Sequence, residues 1–361
     1  MTEQIFTTES MAFLERYLNN PSPTGFEKNG QQIWLDYLTP YIDKYTTDVY
    51  GSVVGIINPT ADYKVVIEAH ADEIGWYVNY ITDDGLMYVN RNGGSDNLIA
   101  PSKRVNIHTE TGIVKAVFGW PAIHTRKSYN EPVPLLKNIF LDCGCTSKQE
   151  VLDKGIYVGC SITFDDDMME LNDRYIVGRA LDNRVGGFMI AQVARLLKEN
   201  NITLPFGLYI VNSVQEEIGL RGAEMISRSI APNVAIITDV THDTSTPLID
   251  KIEAGDVKCG LGPSLTTGPA VHNNLLKLIV DTAKSKEIPF QREAASRSTG
   301  TDTDAFAYSS TGVASALISL PLRYMHTTVE MARKEDISNT IQLMYHALQV
   351  IENGQDFRYI K

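Results

Sequence analysis

Asp182-Asn-Arg-Val-Gly-Gly-Phe-Met-Ile-Ala-Gln-Val-Ala-Arg-Leu-Leu197 is followed shortly by Gly207-Leu-Tyr-Ile-Val-Asn-Ser213. In the first stretch Val185, Phe188, Met189, Val193, Leu196 and Leu197 fall on one face at a 3.6-residue period, which predicts a helix. The second is an apolar run of strand type. The alternation continues downstream. A helix is expected from near Gly222, a strand over 234–238, a helix over 273–285, a strand over 315–320 and a final helix over 334–352. Alternating strands and helices predict an α/β fold with a mixed, mostly parallel sheet and helices on both faces. Upstream, Lys64-Val-Val-Ile-Glu-Ala69 is another buried-strand run and joins that sheet. Before it, Met11, Leu14 and Leu18 mark a helix that the turn Asn20-Pro-Ser-Pro-Thr-Gly25 ends, and a second helix runs through Trp34 and Leu38.

The texture changes between about 74 and 164. Residues 76–81 and 86–91 flank the turn signal Asp83-Asp84-Gly85, and residues 104–108 and 113–120 flank Thr109-Glu-Thr-Gly112. A further strand is expected over 157–164. Helical periodicity is scarce, so this segment reads as an inserted all-β domain, a small barrel or curled sheet. It is expected to sit apart from the chemistry. Residues 1–73 and 165–361 then form one domain that the insert, 74–164, divides in sequence.

Composition narrows the function. A formal charge of −12 argues against nucleic-acid binding, which calls for a basic face, and against an anionic membrane surface. No run approaches the ~18 apolar residues of a spanning helix. The opening stretch MTEQIFTTESMAFLERYL has neither a basic nor an apolar signal region. The four cysteines (143, 145, 160 and 259) do not form a disulfide framework, and without a signal segment thiols and a cytoplasmic location are expected. Cys143-Gly144-Cys145 lacks a second half at metal-ligand spacing.

Chemistry gathers where the expected strands end. His70 follows 64–69, Gln215-Glu216-Glu217 follows 207–214, Asp239 follows 234–238, and His326 lies just beyond 315–320. Ligands of open α/β sheets bind at the carboxyl ends of the strands. Asp182 opens its helix nearby. Each residue has an ordinary explanation: His70 as a satisfied core histidine, Asp182 as a helix cap, Glu216-Glu217 as a solvated pair, Asp239 as a turn residue, His326 as a surface histidine. Those explanations must all hold at one edge of one sheet. Asp72, two residues after His70, is the carboxylate to which a ligating imidazole usually donates. Two imidazoles and several carboxylates suit zinc, cobalt or manganese, and more ligands than one ion needs suggest two ions bridged by a carboxylate.

The blocks Ala69-His-Ala-Asp-Glu-Ile-Gly75, Gly178-Arg-Ala-Leu-Asp-Asn-Arg184, Val214-Gln-Glu-Glu-Ile-Gly-Leu-Arg-Gly-Ala223, Asp239-Val-Thr-His242 and Pro321-Leu-Arg-Tyr-Met-His326 resemble the M42 metallo-aminopeptidases, the glutamyl and tetrahedral aminopeptidase group. Pro21-Ser-Pro-Thr-Gly-Phe-Glu27 fits as well, and the resemblance runs nearly end to end. It implies a zinc-peptidase-like fold. It implies two divalent metals per subunit, zinc or cobalt before manganese. His70 and Asp239 would bind one, Glu217 and His326 the other, and Asp182 would bridge both through a residue joined to Asn183 by a cis peptide. It implies Glu216 as general base beside Asp72, and peptides with a free N-terminus as substrates. It also implies that the insert pairs subunits into dimers, which assemble into a dodecamer. Departures are small: Ala71 stands where a larger residue is expected, Thr327 where Ser is usual, and Cys143-Gly144-Cys145 is outside the pattern. None removes a ligand.

Peptide hydrolysis near neutral pH needs a strong nucleophile, and paired divalent ions supply one by acidifying water. Glu216 would take its proton and deliver it to the leaving amine. Two other readings remain. A glycosidase with paired carboxylates needs its two groups on opposite sides of the bond, whereas Glu216 and Glu217 are adjacent and the histidines would have no use. A non-catalytic, metal-bound assembly protein would have no need of an intact Glu216.

Overall fold

The computed structural model describes residues 5–126 and 133–360; the portions of the expected spans at 1–4, 127–132 and 361 lie outside them. Helix α1 (Thr8–Asn19) begins at Thr7, whose hydroxyl accepts from Ser10 N. Its Phe13, Leu14, Tyr17 and Leu18 are buried on one face. Helix α2 (Lys28–Leu38) follows, then strands β1 (Lys44–Thr47), β2 (Val53–Ile57) and β3 (Lys64–His70).

The chain next forms β4 (Gly75–Ile81), β5 (Leu86–Asn92), β6 (Arg104–Thr109), β7 (Gly112–Gly119), β8 (Phe140–Asp142), helix α3 (Lys148–Asp153) and β9 (Ser161–Phe164). These six strands close into an antiparallel barrel in the order β4-β5-β8-β7-β6-β9. Closure removes the exposed edges that a free sheet would carry. Trp76, Val78, Met87, Val105, Phe118 and Ile162 fill its interior. The last strand is shorter than expected, because residues 157–160 turn before the pairing with β4 and β6 begins.

Strands β10 (Met169–Leu171) and β11 (Tyr175–Gly178) lead into helix α4 (Leu181–Glu199). There follow β12 (Gly207–Ser213), α5 (Arg221–Ile230), β13 (Val234–His242), α6 (Lys251–Ala254), β14 (Ser264–Thr267), α7 (Asn273–Ser285), β15 (Gln291–Ala294), α8 (Thr303–Ala307), β16 (Ala314–Arg323), β17 (Glu330–Arg333) and α9 (Lys334–Val350). They make a mixed, mostly parallel α/β sheet of order β1-β2-β12-β3-β13-β16-β17-β11-β10, with β14 and β15 attached beside β16. Its centre, β12-β3-β13-β16, is parallel. The antiparallel partners lie outside that centre. Short, polar strands such as β1 and β15 carry little apolar signal and take their conformation from their neighbours.

Parallel pairing aligns the strand ends. Ser213 pairs with His70, Ile237 with Glu68 and Asp239 with Ser319, so one edge of the sheet collects side chains from three connections. Two further elements differ from the sequence expectation. Strand β13 continues to His242, because β16 runs on to Arg323 and offers ladder partners; Asp239 therefore lies within a strand. Helix α4 is buried from Leu181 to Leu197 on all sides, because β3 covers one face while α1, α2 and α9 cover the others. Its polar residues are paired there: Gln192 donates to Tyr37 (2.8 Å) and Arg184 to Leu18 O (2.6 Å). Among the described residues no helix is long and apolar enough to cross a membrane.

Candidate active site

His70 ends β3 with 2% of its surface exposed. Its Nδ1 lies 3.3 Å from Asp72 Oδ1 and its Nε2 3.2 Å from Asp182 Oδ1. The second oxygen of Asp182 is 3.1 Å from Nε2 of His326. Glu217 Oε2 approaches the same His326 nitrogen at 3.5 Å, while Glu216 Oε2 and Asp239 Oδ1 approach His70 Nε2 at 3.8 and 3.9 Å. All the residues expected from sequence thus converge. Asp182 occupies the middle, and its peptide bond to Asn183 is cis.

The turn after β12 explains how adjacent glutamates take different directions. Gln215 has a left-handed backbone, φ +58°. Asp72, fully buried, accepts from the N–H groups of Glu216 (3.0 Å) and Glu217 (3.2 Å), and its Oδ2 also accepts from Thr24 Oγ1 (2.7 Å). Asp72 therefore faces His70 and fixes the backbone of both glutamates.

Several supporting residues receive no role from the sequence reading. Glu330 accepts from the backbone N–H of His326 (2.7 Å) and of Asp182 (3.1 Å), tying the two loops together. Its sole signal in the sequence is an acidic residue four positions after His326. Glu73 is buried against Arg179 and Arg184 and accepts from Ser22 N (2.7 Å), which pins the opening Pro-rich turn to the site. Beneath His70, Ser213 Oγ lies 2.7 Å from both Glu68 Oε1 and Asp302 Oδ2. Burial, then the neighbouring Asp302, pushes the Glu68 carboxyl well above its usual range. The barrel also contributes, contrary to the expectation that it sits apart. Gly94, in the loop after β5, lies so close to His326 that a Cβ there would be 2.7 Å from Nδ1. The glycine pair at 93–94 was the available signal.

The electrostatics favour a cation. Burial, reinforced by Asp302, Asp239 and Asp182, pushes Glu216 up to about 10. Burial and Asp182 push Asp239 up to about 8, and burial and the same carboxylate raise Glu217 well above the normal range. Burial works against charging Asp182 too, but hydrogen bonds from His326 and His70 hold it far below an ordinary carboxyl. Burial by itself would lower His70; Glu216, Asp182, Asp72 and Asp239 outweigh it and raise the imidazole. So many carboxylates repel one another as anions, and divalent cations among them remove that penalty. The spacing suits this. Ligand atoms bound at ~2.0–2.2 Å to one tetrahedral ion stand ~3.2–3.6 Å apart, and the contacts to Asp182 and between Glu217 and His326 fall at 3.1–3.5 Å. His70, Glu216 and Asp239 form one candidate metal-holding group and His70, Asp182 and Glu217 another.

This sheet with this donor set at its edge suits metal-assisted hydrolysis, and comparison with known proteins narrows the class to the peptide hydrolases. The lysyl aminopeptidase of Pyrococcus furiosus is 33% identical over 344 residues, 94% of this chain and 96% of that protein. The TET aminopeptidase of Thaumarchaeota archaeon SCGC AB-539-E09 superposes with a TM-score of 0.91 at 28% identity, covering 96% of this chain and 98% of that one. The Pyrococcus horikoshii TET1 peptidase, described as assembling into a tetrahedron or a large octahedral shell, shares the fold with a TM-score of 0.84 at 24% identity, covering 95% and 100%. The model of the M42 glutamyl aminopeptidases matches residues 51–343. The chain belongs to that family and is an aminopeptidase.

Proposed function

We propose that this aminopeptidase works with two divalent metals and uses Glu216 as general base. The observation that carries the proposal is the central carboxylate of Asp182, with one oxygen facing the imidazole of His70 and the other that of His326. His70 and Asp239 would hold one ion, Glu217 and His326 the other, with Asp182 between them. When bound, such ions polarise the scissile carbonyl and acidify the attacking water. Glu216 receives the water's proton and returns it to the departing amine. Asp72 keeps His70 oriented and holds the turn that separates Glu216 from Glu217. Imidazole and carboxylate ligands suit zinc or cobalt, with manganese third. The substrates are peptides with a free N-terminus.

The chelation test is direct. Dialysis against EDTA is expected to abolish hydrolysis of aminoacyl p-nitroanilides, and added Zn²⁺ or Co²⁺ to restore it. Full activity in metal-free protein would sink the two-metal reading.

We also propose that residues 74–164 act as the dimerisation domain within a dodecamer, with 1–73 and 165–361 as the catalytic domain. The support is apolar surface on the barrel's outside: Ile113 and Val117, four residues apart on β7, are both exposed and project from the same face of that strand. The double substitution Ile113→Asp, Val117→Asp is expected to give smaller particles in light scattering. Unchanged particles would argue against pairing through this face.

A further inference from the structure

Glu293 is a carboxylate held by a neutral partner. It sits half-buried on β15, and its Oε1 accepts from Thr241 Oγ1 at 2.7 Å. Among the described residues no lysine or arginine forms an ion pair with it. Two arginines of the neighbouring strand positions, Arg323 on β16 and Arg292 on β15, are engaged elsewhere. Arg323 Nε donates to Asp243 at 2.7 Å. Arg292, the preceding residue, alternates to the other face of β15 and lies over the Phe290 ring.

Thr241 places this carboxylate. It follows Asp239 by two residues in β13, so both side chains project from the same face of the sheet, the face that also carries His70 through the pairing of Ile237 with Glu68. Two residues of strand cover ~6.6 Å. Glu293 therefore meets β13 two residues beyond Asp239, on the face of the sheet that carries Asp239 and His70.

We propose that Glu293 is a specificity residue that recognises a cationic side chain, lysine or arginine, on the N-terminal residue of the substrate. This rests on the assignment of Asp239 and His70 to the reaction centre. A half-buried carboxylate with one hydroxyl partner gains a charge-assisted hydrogen bond from an ammonium or guanidinium, whereas a glutamate side chain at that position meets repulsion.

The test compares kcat/KM for Lys-, Arg-, Leu- and Glu-p-nitroanilide in the metal-loaded wild type, in Glu293→Gln and in Glu293→Lys, with metal content measured for each. The wild type is expected to prefer Lys and Arg over Glu. Glu293→Gln is expected to lower the Lys-to-Leu ratio about 10- to 100-fold with metal content unchanged, and Glu293→Lys to raise the Glu-to-Lys ratio above that of the wild type. A wild type that prefers Glu, or a Gln variant that loses equally on all four substrates, overturns the assignment while leaving the aminopeptidase intact. Hydrolysis of none of the four by the wild type would sink the reaction-centre assignment and this one with it.

Discussion

Glu216→Gln is expected to lower kcat by about 10²- to 10⁴-fold, the range for removal of a general acid–base group, while leaving the protein's metal content intact. The expectation comes from the division of labour in the turn after β12. Glu217 Oε2 lies 3.5 Å from His326 Nε2, within the cluster around Asp182, whereas Glu216 Oε2 stands 3.8 Å from His70 Nε2. Burial and the surrounding acids push Glu216 up to about 10, and cations beside it would bring it back toward the range in which it can accept a proton. Glutamine keeps the size and the backbone contacts to Asp72 but cannot take the proton. Steady-state kinetics with elemental analysis on the same sample separates the possibilities. Turnover lost with metal retained supports the general base. Metal lost in proportion to turnover makes Glu216 a ligand of the His70–Asp239 site, and the role passes elsewhere.

Asp182→Ala is expected to have the broadest effect on metal content, taking both ions below half occupancy, while His326→Ala removes mainly one. Asp182 is 7% exposed and presents one oxygen to each imidazole. On the proposed assignment, removing it deletes a ligand from both halves and leaves two histidines and the surrounding acids without their common partner. His326 belongs to one half, and its loss leaves His70, Asp239 and Asp182 in place. Inductively coupled plasma mass spectrometry on the wild type and both variants, purified in parallel, reads the difference. Equal, single-ion losses in the two variants would contradict the bridging role.

Much of the site was legible because its chemistry sits in short blocks at strand ends. His70, Glu216 and Glu217 could be placed by strand pattern and topology, and the parallel register of β12, β3 and β13 brings them together. The extension of β13 past Asp239 was not legible. Asp-Val-Thr-His carries no strand pattern of its own, and the ladder with β16 supplies it. Glu330, Glu68 and Asp302 escaped for a similar reason: isolated acidic residues become informative only once the fold buries them beside one another. The contact of Gly94 with His326 crosses from the barrel to a loop more than two hundred residues away, and hydrophobic periodicity carries no information about such a meeting. The neutral partner of Glu293, Thr241, likewise emerges only from the way β15 returns toward β13.

Anomalous diffraction from zinc-loaded crystals, collected above and below the zinc absorption edge, bears most directly on the two-metal centre. Two peaks about 3.5–4 Å apart, one on each side of the Asp182 carboxylate, are expected, the first beside His70 and Asp239 and the second beside His326 and Glu217. A single peak at full occupancy, or two peaks of which neither lies against Asp182, would contradict it.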